Sequence, residues 1–242
     1  SGDGRYLAVS VGGSVGCSSN CPGETFASWN SDFGTGSSNN RSQIYMVDQE
    51  TNSVELVSRD SNNSLGNDHS HTCNSDVTAY FMNCSSLSTD GRYITFTSKA
   101  TNFVSLSENE GHWQIFVRDM QLNTTEIVSI SSNGVIGNGN SKASSISADG
   151  RFIVFESMAT NLSATDTLTQ SDVYVHDRQT NKTALISSSY DGGQSNGISG
   201  AADISSNGQY IVFQSGASNI TDDVTENAKN HIYRTLNPLY SP

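Results

Sequence analysis

The sequence predicts an all-β chain: a β-propeller of four four-stranded blades, about 58 residues apart, in which the first and last blades each lack a strand. Three observations carry this. An Asp-Gly or Asn-Gly pair followed by a strand-like run recurs four times. A second set of β-branched and aromatic runs follows each of these, and a third follows the first three, in a fixed order. No segment shows a convincing helical period.

The first set is Asp3-Gly4-Arg5-Tyr6-Leu7-Ala8-Val9-Ser10, Asp90-Gly91-Arg92-Tyr93-Ile94-Thr95-Phe96-Thr97, Asp149-Gly150-Arg151-Phe152-Ile153-Val154-Phe155-Glu156 and Asn207-Gly208-Gln209-Tyr210-Ile211-Val212-Phe213-Gln214. Its aromatic anchors are Tyr6, Tyr93, Phe152 and Tyr210; the last two intervals between them are nearly equal and the first is longer. The Gly supplies the positive φ of a tight turn, and the run after it has strand composition. The second set is Gln43–Asp48, Gln114–Asp119, Asp172–Asp177 and His231–Arg234; the third is Val54–Ser58, Glu126–Ser129 and Ala184–Ser187. A short strand precedes the turn at Ser85–Ser88, Ser144–Ser147 and Ala202–Ser205. In the order A (before the turn), B, C and D, these give blades at about 1–75, 84–132, 142–190 and 200–242 within a single domain, 1–242. The alternating apolar residues Tyr6, Val9, Ile94, Phe96, Ile153, Phe155, Ile211 and Phe213 are the expected core between blades.

The pattern S-x-D-G-R-Y/F-I-x-F, then A-T-N, then I/V-Y/F-V-x-D, then I/L-V/I-S, resembles the TolB-type β-propeller repeat family, also called WD40-like or PD40 repeats. The resemblance covers nearly the whole chain. It implies architecture rather than activity, because such propellers serve as binding platforms, enzyme domains and surface modules alike.

The repeat is irregular in two places. The B-to-C distances from Tyr93 to Phe116, Phe152 to Tyr174 and Tyr210 to Tyr233 agree closely, but Tyr6 to Tyr45 is much longer. Blade 1 therefore carries an insertion between B and C. Tyr45 to Phe116 is likewise longer than Phe116 to Tyr174, which is read as a second insertion between D of blade 1 and A of blade 2. All four cysteines fall in these insertions: Cys17 and Cys21 in the first, Cys73 and Cys84 in the second. The two loops lie on one face of a propeller, and an even count clustered in loops favours two disulfides, with three connectivities open. The competing reading is a zinc or copper site on His69, His71 and Cys73 with Cys17 and Cys21, whose spacings match no specific pattern.

Other motifs are weighed against their surroundings. Gly193-Gln194-Ser195-Asn196-Gly197 matches the G-x-S-x-G nucleophile elbow, but a D–A loop lacks the strand–turn–helix context. It is instead aligned with Gly137-Asn138-Gly139-Asn140-Ser141 as a loop signature. No catalytic residue is assigned. Asp166, Asp172, Asp222 and Asp223 in the B–C loops are candidate calcium ligands, with ordinary solvated acids as the simpler reading; no other cofactor is implied. N-x-S/T sequons at Asn40, Asn62, Asn83, Asn123, Asn161, Asn181 and Asn219 fall in loops and turns where glycans are carried.

The net charge of −12 argues against nucleic acid and anionic membranes as partners, and no apolar run is long enough to insert into a bilayer. Ser at position 1 fits a processed chain or part of a longer one. The cysteine usage and the Ser/Thr/Asn-rich surface lead to an extracellular or cell-surface expectation. Three functions follow in order: a non-catalytic structural module, a glycan- or peptide-binding propeller using Trp29, Phe33 and Tyr80, and a hydrolase-type enzyme. Pro238 and Pro242 argue against a strand after Tyr233, so both end blades stay one strand short. Open edges invite pairing, and copies of the chain itself are the expected partners, completing blades by strand addition; a fragment of a larger propeller is the alternative.

Overall fold

A computed structural model of the chain describes residues 1–11, 41–71, 86–104, 111–222 and 230–241. Among these, every regular element is a strand, and the strands form four antiparallel sheets in chain order. Sheet I holds β1 (Tyr6–Val11), β2 (Gln43–Asp48) and β3 (Ser53–Leu56). Sheet II holds β4 (Ser70–His71), β5 (Tyr93–Ser98), β6 (Gln114–Asp119) and β7 (Thr124–Ile127). Sheet III holds β8 (Ser141–Ile146), β9 (Phe152–Ser157), β10 (Asp172–Asp177) and β11 (Lys182–Leu185). Sheet IV holds β12 (Ser199–Ile204), β13 (Tyr210–Ser215) and β14 (His231–Leu236). Each is a meander of adjacent strands, and the stack of four sheets is open.

The S-x-D/N-G motif builds the turn into each B strand. In sheet II, Tyr93 N–H donates to Ser88 Oγ at 2.9 Å, and that hydroxyl donates to Asp90 at 2.6 Å. Ser147 with Asp149, Ser205 with Asn207 and Ser1 with Asp3 repeat the arrangement. The Arg after the turn then pairs with the Asp that ends the C strand: Arg5 with Asp48, Arg92 with Asp119 and Arg151 with Asp177, at 2.7–2.9 Å. Sheet IV has Gln209 and Leu236 in those places. The C–D hairpins turn on Asn52, Asn123 and Asn181, which all take positive φ. Asparagine tolerates that conformation better than most residues.

The sheets are held together by three successive cores. Ile44, Met46 and Val57 of sheet I meet Ile94, Phe96 and Phe116 of sheet II. Ile115, Val117 and Val128 meet Ile153, Phe155 and Tyr174. Phe152, Val154, Val173 and Val175 meet Ile204, Ile211 and Phe213. The two middle sheets therefore bury both faces, as the alternation of their strands requires. Of the expected core, Ile94, Phe96, Ile153, Phe155, Ile211 and Phe213 are buried. Tyr6 and Val9 are only half-buried. Val9 faces away from sheet II, where no sheet precedes among the described residues, whereas Tyr6 lies at the start of its strand against sheet II, as half-buried as its equivalent Tyr93.

Two details join neighbouring turns. The ring at the start of each B strand lies against the turn glycine of the next sheet, so closely that a Cβ there would stand 2.1–2.4 Å from it: Tyr6 on Gly91, Tyr93 on Gly150 and Phe152 on Gly208. The residue after the turn serine links its amide forward: Gly2 N–H donates to Thr89 O, Thr89 N–H to Ala148 O, and Ala148 N–H to Ser206 O, at 2.8–3.2 Å.

The A strands correct the expected boundary. In sheets III and IV the A strand carries a β-bulge, with Ala143 and Ala201 at positive φ. Ser70 stands as far along the chain from Tyr45 as Ser141 does from Phe116 and Ser199 from Tyr174, so the D–A connection of sheet I has no insertion. The stretch from Ser70 to Tyr93, by contrast, is about double that from Ser141 to Phe152. The extra chain thus enters inside strand A, after β4 and at the place of the bulge, and pairing resumes at the Leu87–Ile94 bridge. All four cysteines, Asn40, Asn83, Asp223, Trp29, Phe33 and Tyr80 lie outside the described residues. After β14 the chain turns at Asn237, and Leu239 and Tyr240 pack on the core between sheets III and IV, so sheet IV has no fourth strand among the described residues.

Candidate functional site

The polar groups that carry chemistry collect where B strands end and C strands begin. The first C-strand residue is Gln43, Gln114, Asp172 or His231. In the first three sheets a serine just after strand D binds it. Ser58 Oγ donates to Gln43 at 2.6 Å, Ser129 to Gln114 at 2.5 Å and Ser187 to Asp172 at 2.6 Å. The same hydroxyls accept the next backbone N–H of the C strand. Gln114 also donates its amide to Gly137 O at 2.8 Å. Asp172 has no such hydrogen to give. Ser195, which stands where Gly137 does, donates to the carboxylate instead, at 3.1 Å. Ser195 is buried, and its second contact is Gly197 O at 3.3 Å. Its place in the G-x-S-x-G string is thus that of a compensating donor.

Asp166 and Asp172 are both buried. Asp166 accepts from the Tyr174 hydroxyl, from Gln194 Nε2 at 2.8 Å and from Leu168 N–H at 3.2 Å. Burial, with the nearby Asp166 charge, pushes the Asp172 carboxyl up to about 6, against the serine bonds that oppose it. These two acids are hydrogen-bond hubs: both Asp166 oxygens and Asp172 Oδ1 accept from protein donors. Asp222 is exposed and stands apart from them. Among the described residues no group of three or more His, Cys, Asp or Glu side chains is placed to hold a metal ion.

His69 and His71 converge on one hydroxyl. Ser42 Oγ lies 3.1 Å from His69 Nδ1 and 3.1 Å from His71 Nε2, and Ser42 N–H also donates to His69 Nδ1. The rings stack at 6.0 Å, His71 packs on Trp113, and Lys99 lies over the Trp113 ring. Burial and the neighbouring imidazole hold His71 below its ordinary pKa.

A cleft at this end lies between sheets III and IV, with a volume of about 670 Å³. Lys142, Glu156, Gln170, Ser171, Gln214 and Asn230 line it, with backbone from residues 197–201. Glu156 is 5 % exposed; its carboxylate accepts Ala201 N–H at 2.7 Å, and Lys142 Nζ stands 3.9 Å away. Burial raises its pKa, and the amide and the ammonium oppose that rise. A Cβ on Gly200 would lie 2.9 Å from this carboxyl, so a side chain there requires the carboxylate to shift. Glu156 is the single carboxylate among the described lining residues, and no nucleophile–base pair faces it. The cleft offers hydrogen bonds to a polar ligand rather than paired acid–base chemistry.

Three asparagine clasps close these loops, and they correct the expected alignment of Asn196 with Asn140. Asn67, Asn138 and Asn196 are the true equivalents, two residues from the alignment of the Gly-Asn strings. Each exchanges three hydrogen bonds with the Thr-Asn or Ser-Asn pair that follows a B strand, and a fourth runs from that pair's asparagine to the carbonyl two residues before the clasp; Asn138 N–H, for example, donates to Asn161 Oδ1 at 3.0 Å, and Asn161 Nδ2 to Ile136 O at 2.7 Å. Asn102 and Asn219 repeat it. The sequon residues Asn161 and Asn219 therefore use the very nitrogen that would carry a glycan. Asn62, Asn123 and Asn181 are exposed.

Solved structures similar to this chain are β-propeller proteins. TolB from Acinetobacter baumannii is 16 % identical over 79 % of this chain and 37 % of its own, with a TM-score of 0.42. A protein described as a TolB from Agrobacterium tumefaciens is 14 % identical over 83 % of this chain and 55 % of its own, at 0.45. The propeller domain of the Trilobed protease from Pyrococcus furiosus, with an open velcro topology, is 11 % identical over 81 % and 50 %, at 0.41. The chain spans about a third to about half of these three. No protein-family model and no curated protein matches it.

Proposed function

We propose that the chain is a non-catalytic propeller module, extracellular or on a cell surface, with a structural role exercised by association with copies of itself. The observation that carries this reading is the pair of unfinished end sheets: I and IV have three strands each, and β1 and β14 have one edge unpaired among the described residues. Free edges and faces of this kind are what native proteins otherwise cover. The residues with reactive potential support the reading too, since Ser195, Asp166 and Asp172 are consumed in scaffold bonds. The cysteines belong to the same reading as two disulfides, which a mass lower by two hydrogens per bridge than that of the reduced chain would register.

Sedimentation velocity and electron microscopy of the purified chain test the proposal. Concentration-dependent growth beyond the monomer is the expected result; a monomer at every concentration overturns it. The cleft beside Glu156 favours a second reading, a glycan- or peptide-binding module. A glycan array tests it, with Gln214→Ala abolishing any signal that belongs to the cleft.

A further inference from the structure

The structure shows one interface made three times and its two halves left over at the ends. On the side of each sheet that faces its predecessor stand Leu7 and Val9, Ile94 and Phe96, Ile153 and Phe155, Ile211 and Phe213. The last three pairs are buried against the sheet before them. Leu7 is 46 % exposed. On the side that faces the successor, Phe152, Val154, Val173 and Val175 of sheet III receive Ile211 and Phe213. Their counterparts in sheet IV are Tyr210, Val212, Ile232 and Arg234, and the three apolar ones are 36 %, 39 % and 83 % exposed.

The turn contacts are left half-made in the same way. Tyr6, Tyr93 and Phe152 each cover the next glycine, but Tyr210 covers none among the described residues. Gly91, Gly150 and Gly208 each lie under a ring, whereas nothing stands within 4 Å of a Cβ on Gly4. The forward amide links end on Ser206, whose N–H finds no acceptor among the described residues, and begin at Gly2, whose carbonyl finds no donor among them. Each end lacks what the other presents.

We propose that sheet IV of one copy packs face to face on sheet I of a second copy, Tyr210 covering Gly4 of the neighbour, Val212 and Ile232 meeting its Leu7 and Val9, and Ser206 N–H donating to its Gly2 carbonyl. This deepens the self-association reading and rests on it. It replaces strand addition at the edges with a fourth repetition of the internal interface. The contact is head-to-tail, so each copy uses two different surfaces.

That asymmetry supplies the test. Ile232→Lys spoils only the sheet IV face and Leu7→Lys only the sheet I face; in the single chain Ile232 is largely and Leu7 about half in solvent, so each variant keeps its thermal unfolding profile. Sedimentation velocity of each variant alone is expected to show association weakened about tenfold or more, as for loss of a central apolar contact. A mixture of the two has one intact junction and forms a dimer that grows no further. Variants that assemble like the wild-type chain overturn the face-to-face mode while leaving self-association standing. A mixture that stays monomeric overturns the head-to-tail arrangement. A wild-type chain that is monomeric throughout overturns both this inference and the reading under it.

Discussion

Asp172 shows how a repeat absorbs a change of side chain. Gln114 at this position in sheet II both accepts and donates; aspartate accepts only, and Ser195 supplies the missing hydrogen. The carboxyl sits among serines and near Asp166, and its folded pKa of about 6 stands above the ordinary 3.8. The raised value means that the protonated form is favoured in the folded chain. Its contribution is present in full below about pH 4 and is lost as pH rises through 6. Asp172→Asn, which keeps an acceptor for Ser187 and cannot ionise, is expected to unfold at higher urea than the parent at pH 7.5, by about 1–2 kcal/mol, and to differ little at pH 4. A variant less stable than the parent at both pH values would contradict the assignment. None of this was legible beforehand. The loops around Ser195 and Asn196 are strings of Gly, Asn and Ser whose identities recur at several offsets. Only the strands, with their aromatic anchors, align without ambiguity.

At the scale of the element, the D-G-R-Y/F unit was read as a turn and a strand, and the structure bears that out. Sequence could not show that its glycine also serves the neighbouring sheet. Gly4 and Gly150 have nearly the same φ, 75° and 74°, but only Gly150 lies under a ring. Gly4→Ala should therefore cost the chain about 1 kcal/mol for backbone strain. Gly150→Ala adds a clash with Tyr93 and should cost about 2–4 kcal/mol in all. Urea unfolding of the monomeric chain compares the two, and equal costs would refute the inter-sheet role. The split A strand escaped sequence reading for a related reason. Ser85–Ser88 has the composition of an A strand, but Ser70–His71, a short piece of a polar run, carries no strand signal of its own. Its place is set by pairing with Ser98 and Thr97.

At the scale of the whole molecule, a count of fourteen strands, with three in each end sheet, was legible from the order of the repeats and is the count among the described residues. The sense of the free faces was not, because it depends on which side each alternating residue takes in the stack. A stack in which each sheet touches only its neighbours has stability that is nearly a sum of local and interface terms. Sheets II and III have two interfaces each, and I and IV one. Amide hydrogen exchange of the monomer should accordingly be slowest in β5, β6, β9 and β10 and faster in β1 and β14. Uniform protection across all four sheets would mean that the stack unfolds as one unit. With assembly, β13 and β14 should gain protection together with β1.

The bulge in the A strand also has a use outside the chain's own biology. Sheet II accepts the whole stretch 72–85 between His71 and Ser86 where sheet III has only Ala143 and Ser144 between Lys142 and Ser145, and its flanking pairs keep the same partners on strand B. Bulges are where a ladder is already interrupted, so added length there breaks no further pairing. The corresponding sites after Lys142 and after Gly200 are therefore natural ports for grafting a foreign peptide. A recognition tag or an antigenic loop inserted at either would be displayed from a sheet whose register is already fixed on both sides of the graft.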